Sequence, residues 1–210
     1  MSVFSRQHKA HAEGTEDTAL PERTEHPLAE IARFAILAIL IVIPIRMFIA
    51  QPFIVSGASM DDTFHHGEYL IIDQVSYHFT SPERGDVVIF RYPKDPSKFF
   101  IKRVIGVPGD TLTIENGTVI IENEAHPDGF VLHEPYIKPM PLANPHTETL
   151  GDREYFVMGD NRGQSSDSRS WGVLQEERII GRAFLRLFPP TEFGHLPGSI
   201  TLSTSSASDT

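Results

Sequence analysis

The sequence predicts a mainly β protein: an antiparallel β-sheet domain preceded by one N-terminal transmembrane helix. Three observations carry this expectation. From Gln51 to about residue 200, short β-branched and aromatic runs alternate with turn residues. Asn116-Gly117 separates TLTIE from TVIIE, a hairpin signal because both residues tolerate the positive φ of a tight turn. Residues 31–50, IARFAILAILIVIPIRMFIA, form an apolar stretch of roughly membrane-spanning length.

The elements follow in order. Residues 1–30 are polar and read as a tail. In 31–50 only Arg33 and Arg46 carry charge, and arginines near helix ends can snorkel to headgroups. A cleaved export signal and a buried core helix are the rival readings of this stretch. Arg6, Lys9, Arg23 and Arg33 precede most of the span, whereas no Lys or Arg lies between Arg46 and Arg84. That bias predicts a single pass in the cell membrane, N-terminus in the cytoplasm and the rest outside. Residues 51–201 then form the β-rich domain, with strands expected at YLIID, DVVIF, FFIKRVIGV, TLTI, TVII, EYFVM and RAFLRLF. Within it, 123–150 holds Pro127, Pro135, Pro139, Pro141 and Pro145 and reads as an irregular excursion. Residues 202–210, LSTSSASDT, read as a disordered end.

Composition narrows the chemistry. With 210 residues, 40% of them apolar, the chain can bury a core. A net charge of −10 argues against a nucleic-acid partner, which needs a basic face. The absence of cysteine excludes disulfides, thiolate nucleophiles and Cys-based zinc sites. His65-His66 lacks the spacing of a metal motif, and no histidine stands in a Ser-His-Asp order, so neither a metal nor another cofactor is expected.

Three segments remain as candidates. In Val55-Ser56-Gly57-Ala58-Ser59-Met60, small residues surround Ser59 and let a substrate approach the backbone, though the same pattern suits a plain turn. In Phe99–Asp110, strand alternation puts Phe100, Lys102 and Val104 on one face. Lys102 is there either a snorkelling edge residue or a desolvated amine able to act as a base. The segment GDNRGQSSDSRSWG, 159–172, is dense in turn formers, and Asp167 and Arg169 can pair within it.

Taken together and in this order, these segments resemble bacterial type I signal peptidases, membrane-bound proteases with a Ser-Lys dyad. The likeness runs from Pro52 to Trp171 and includes Arg84-Gly85-Asp86-Val87-Val88. It implies a catalytic domain in which Ser59 attacks the scissile carbonyl and Lys102, unprotonated, takes its proton. Ser165 matches the serine that orients the lysine amine, and Asp167 and Arg169 match a structural pair. The Ser59 backbone N–H matches one oxyanion donor. The second donor in some members is a serine hydroxyl at the position of Gly57, which has no side-chain donor. Phe53, Val55, Met60, Ile89 and Ile101 match shallow substrate pockets suited to Ala-x-Ala sites. The implied partners are preproteins carrying signal peptides and the lipid bilayer.

The chain also departs from the family pattern. Where the family reads Ser-Met-x-Pro-Thr-Leu, this chain reads Ser59-Met60-Asp61-Asp62-Thr63-Phe64. Phe64 replaces a leucine that shapes the pocket. Carboxylates at 61 and 62 raise the pKa of Lys102 if they lie close to it. The Gly57 and Asp62 changes leave one alternative, a catalytically impaired or non-catalytic member acting as an anchored binding protein; a second, a self-cleaving protein of the repressor type, shares the dyad chemistry the resemblance implies.

Overall fold

Each expected β run becomes a strand, because β-branched and aromatic side chains fit a pleated, half-buried surface. The structure is a computed structural model that describes residues 27–44, 50–138, 145–200 and 204–206. The strands are β1 (Ala50–Ile54), β2 (Tyr69–Asp73), β3 (Val87–Arg91), β4 (Phe99–Gly106), β5 (Thr111–Glu115), β6 (Thr118–Asn123), β7 (His126–Leu132), β8 (His146–Thr149), β9 (Glu154–Met158), β10 (Leu174–Gln175), β11 (Ile179–Phe188), β12 (Gly194–His195) and β13 (Thr204–Ser206). One sheet runs β1-β2-β11-β3-β4-β9-β10, with β12 on β11, and a second runs β13-β7-β6-β5-β8. Every pairing among the described residues is antiparallel.

The Asn116-Gly117 signal does what its chemistry requires. Both residues have positive φ, 51° and 84°, and β5 pairs β6 from Glu115↔Thr118 outward. Inward residues of this hairpin, Leu112, Ile114, Val119 and Ile121, form one core with Phe130, Phe156 and Met158. A second core gathers Val55, Met60, Phe64, Leu70, Ile72, Val87 and Ile89 under β1–β3.

Three expectations are corrected. The segment 123–150 is not an irregular excursion: it contributes β7 and β8. Backbone ladders do not need apolar alternation. The polar strand β8 is held through Thr147 and Thr149, whose hydroxyls meet those of Thr113 and Thr111 at 3.3 and 3.1 Å. Pro127 is accommodated because the β6–β7 register shifts between Ile121 and Asn123. Within 202–210, Thr204–Ser206 pair with β7. The expected span 31–50 is divided: the helix α1 covers Pro27–Pro44, and Ala50 opens β1. Proline lacks an N–H and restricts the residue before it, which suits the end of a helix.

Described by itself, α1 carries Glu30 and Arg33 near its start and is otherwise apolar, with Leu28, Ile31, Phe34 and Leu40 exposed. Its 18 residues rise about 27 Å, against about 30 Å of bilayer hydrocarbon. Among the described residues no helix is long and apolar enough to cross a membrane. The rest of the expected polar tail, 1–26, lies outside the described residues, as do 45–49.

Candidate active site

Two strands converge on the site. Beyond β1 the chain runs through Val55–Ser59 and turns at Met60–Phe64, where the N–H groups of Thr63 and Phe64 donate to the Met60 carbonyl. Opposite lies the first half of β4. Its residues Phe99–Lys102 pair with β3 on one side, whereas pairing with β9 on the other begins only at Arg103. The outer edge of Phe99–Ile101 is therefore free of β9. Between the two segments lies a cleft of about 470 Å3, lined among others by Phe53, Val55, Leu70, Ile89, Ile101 and Lys102.

Ser59 and Lys102 meet at its floor. Lys102 Nζ donates to Ser59 Oγ at 2.7 Å and to the Ile101 carbonyl at 2.9 Å. Lys102 is only 3% exposed, and the Phe100 ring lies 5.3 Å from its amine. Burial is the largest influence on this amine and lowers its pKa to about 8, against the upward pull of Asp167 and Asp160. The desolvated reading of Lys102 thus prevails over the snorkelling one. A serine hydroxyl bonded to an amine that is partly neutral near pH 7 can lose its proton to that amine.

A loop after β9 docks onto the serine segment. Asn161 N–H donates to the Ser59 carbonyl at 3.1 Å, and its amide Nδ2 donates to the Ala58 carbonyl at 3.0 Å. Gly159 packs so tightly that a Cβ there would stand 2.4 Å from the Ser59 carbonyl oxygen and 2.2 Å from Ser165 Oγ. Asp167 holds the loop from behind. It accepts from Gly159 N–H at 3.0 Å, pairs with Arg169 at 2.7 Å and caps the short helix α2 (Ser168–Trp171). Burial pushes the Asp167 carboxyl up, but its surroundings, the Arg169 guanidinium foremost, outweigh this and leave the pKa lowered.

Beneath the loop, Arg103 and Asp160 form a buried bidentate pair at 2.9 and 2.6 Å. Asp160 also accepts from Thr63 Oγ1 at 2.6 Å, and the Tyr136 ring lies 4.1 Å from the Arg103 guanidinium. These contacts tie the turn after Ser59, β4 and the loop to one another. Arg162, anchored by Glu134, receives the Arg169 guanidinium on its carbonyl at 2.8 Å.

Several expected residues stand elsewhere. Met60 is 1% exposed and belongs to the core under β1–β3, not to the cleft lining, because the turn after Ser59 points it inward. Phe64, fully buried, sits in the same core with the Arg186 guanidinium 4.9 Å from its ring. Ser165 does not bond Lys102. Its hydroxyl is buried against Gly159, and the Ile101 carbonyl takes the second bond from the amine. The carboxylates at 61 and 62 do not act on Lys102: Asp62 faces Lys138 at 2.9 Å, whose hydrogen bond lowers its pKa, and Asp61 faces His65. The Gly57 N–H donates to His66 Nδ1 at 3.3 Å, so it too is engaged.

The sequence pattern assigns no site role to Leu70, and Gly159, Asn161 and the Arg103–Asp160 pair lie inside candidate segments with no role assigned to them there. Alternation in YLIID could have marked Leu70 as inward-facing. Nothing local distinguishes Gly159 from other turn glycines or marks Asp160 as the partner of Arg103.

Fold and site together set a part-buried serine–lysine contact against an open strand edge in an antiparallel β domain. The sequence model of the family described as "Signal peptidase, peptidase S26" matches residues 28–188. The chain is 39% identical over 171 residues to "Probable signal peptidase I-1" of Synechocystis sp., covering 78% of this chain and 84% of that protein. It is 35% identical over 181 residues to "Signal peptidase I" of Leptolyngbya laminosa, covering 83% and 86%. It is 34% identical over 170 residues to "Signal peptidase IB" of Staphylococcus aureus, covering 75% and 88%. A crystal structure of a signal peptidase I from Enterococcus faecalis V583 overlaps 49% of this chain and 97% of its own, with 28% identity and a TM-score of 0.42. The chain belongs to the signal peptidase family, peptidase S26, and is a serine endopeptidase.

Proposed function

We propose that this chain is a membrane-anchored endopeptidase that removes N-terminal signal peptides from exported preproteins, with Ser59 as nucleophile and Lys102 as general base. The observation that carries the reading is the 2.7 Å contact between Lys102 Nζ and Ser59 Oγ at the floor of an open cleft. With the amine neutral, the contact reverses its sense and the hydroxyl donates. Ser59 Oγ then attacks the scissile carbonyl carbon as its proton passes to Lys102 Nζ. The ammonium so formed returns the proton to the departing amine, leaving an ester on Ser59. A water, deprotonated by the same amine, hydrolyses that ester and restores the serine. The Ile101 carbonyl holds the amine in line throughout.

The Ser59 N–H is one oxyanion donor in this scheme. Asn161, bonded to the Ala58 and Ser59 carbonyls, holds that backbone in place. Phe53, Val55, Leu70, Ile89 and Ile101 offer small apolar recesses, which favour alanine at the first and third residues before the cut. The free edge of Phe99–Ile101 suits an extended substrate bound as an added strand. The apolar stretch expected at 31–50, short of the Ala50 that opens β1 and covered by α1 as far as Pro44, is the proposed anchor, with Arg6, Lys9 and Arg23 on the cytoplasmic side.

The test is cleavage of a preprotein carrying an Ala-x-Ala site by the full chain in vesicles. Ser59→Ala and Lys102→Met are each expected to abolish it, and full activity in either variant refutes the dyad. Stoichiometric labelling by a serine-acylating inhibitor, lost in Ser59→Ala, separates this reading from a non-catalytic binding protein. Cleavage of the chain alone, with no preprotein turnover, favours the self-cleaving alternative.

A further inference from the structure

The substrate side of the cleft depends on how the backbone at 55–57 is held. Val55 N–H donates to the Glu68 carbonyl, and Gly67 N–H donates to the Val55 carbonyl, both at 2.9 Å. These bonds extend the β1–β2 ladder past its last pair, Ile54↔Tyr69. Gly57 has φ +99°, outside the strand region, so the regular backbone ladder stops there. Its N–H nevertheless finds an acceptor on the same side, the Nδ1 of His66 at 3.3 Å. An imidazole accepting at Nδ1 carries its proton on Nε2.

Peptide planarity converts these bonds into a statement about Ser56. A trans peptide sets its C=O antiparallel to the next N–H, and the peptides on either side of Ser56 are not cis. With the Val55 carbonyl turned toward Gly67, the Ser56 N–H points away from the 66–68 turn. With the Gly57 N–H turned toward His66, the Ser56 carbonyl points away as well. Ser56 lines the cleft, and among the described residues its N–H and C=O have no hydrogen-bond partner.

We propose that His66 is a positioning residue: its imidazole replaces a strand carbonyl, fixes the Ser56–Gly57 peptide, and so presents the Ser56 backbone to the substrate strand. The inference rests on the reading that the cleft binds an extended peptide. His66 acts on substrate binding, because its bond goes to the Gly57 N–H and to neither Ser59 nor Lys102. His65 takes no part, since its ring faces Asp61 at 3.3 Å.

Steady-state kinetics of the full chain in detergent, on a peptide with an Ala-x-Ala site, test this. Active sites are counted with a serine-acylating inhibitor. His66→Leu removes the acceptor, whereas His66→Asn offers an amide oxygen near the place of Nδ1. His66→Leu is expected to raise KM about fivefold to tenfold, the size of one net hydrogen bond, with kcat within about twofold. His66→Asn is expected to stay within about twofold of the parent, on the same single-bond scale. In a series of peptides with each amide in turn replaced by an ester, one position should raise KM in the parent and have no further effect in His66→Leu. An unchanged KM in His66→Leu, a loss confined to kcat, or failure of His66→Asn to match the parent overturns the proposal. If His66→Leu does not fold, a flat ester series in the parent overturns it. Absence of Ser59-dependent cleavage in the parent refutes the underlying functional reading instead, and the proposal with it.

Discussion

Titrating the Lys102 amine gives the sharpest test of the chemistry. Its pKa is lowered to about 8 by burial. At pH 7 about one amine in ten is then neutral, whereas an ordinary lysine of pKa 10.5 has about one in three thousand. If only the neutral amine accepts the Ser59 proton, kcat/KM follows that fraction. It should rise about tenfold from pH 6 to 7, about tenfold more from pH 7 to 9, and then level off. The assay is hydrolysis of a fluorogenic Ala-x-Ala peptide whose own groups do not titrate in this range, with Ser59→Ala as the blank. A break near pH 6.5 points to an imidazole base and refutes the reasoning. A rate still climbing at pH 10 refutes it too, because the amine is then not desolvated.

The same burial should leave a stability signature. Below pH 8 the amine is protonated in both folded and unfolded states, and the folded state bears the full desolvation cost, about 3 kcal/mol. Between pH 8 and 10.5 the unfolded chain holds the extra proton, so stability rises with pH and the cost disappears. Urea unfolding of Lys102→Met is therefore expected to show a more stable protein than the parent at pH 7, with the gap closing by pH 10.5. Asp160→Ala strands the buried Arg103 guanidinium and should cost about 3–5 kcal/mol in the same assay. Gly159→Ala forces a methyl against the Ser59 carbonyl and should lower kcat about a hundredfold in active-site-normalised kinetics. Asp62→Ala removes a carboxylate that faces Lys138 rather than Lys102, so the acid break of the pH–rate profile should not move.

Much of the β architecture was legible because strand formation is written in local pattern. YLIID and EYFVM coincide with β2 and β9 residue for residue, and Asn116-Gly117 marks its turn through backbone sterics alone. The polar strand β8 was not legible, since its Thr–Thr partners lie more than thirty residues away in sequence. The site divides in the same way. Ser59, Lys102, Asp167 and Arg169 could be named from motif order, and they stand together. Met60 could not be separated from the pocket residues, because whether a side chain beside the serine faces cleft or core depends on the turn at Met60–Phe64.

Periodicity and turn chemistry in the linear sequence were enough to predict a β-rich domain, whereas the pairing of Ser59 with Lys102 came only from the family resemblance that the order of the short motifs carries. The linear pattern left the state of Lys102 open between a snorkelling edge residue and a desolvated amine. Packing of Phe100 and the Ser59 segment around the amine settled that point, because desolvation depends on neighbours drawn from distant parts of the chain. The Arg103–Asp160 pair, the Gly159 contact and the His66 brace likewise exist only once the strands have met.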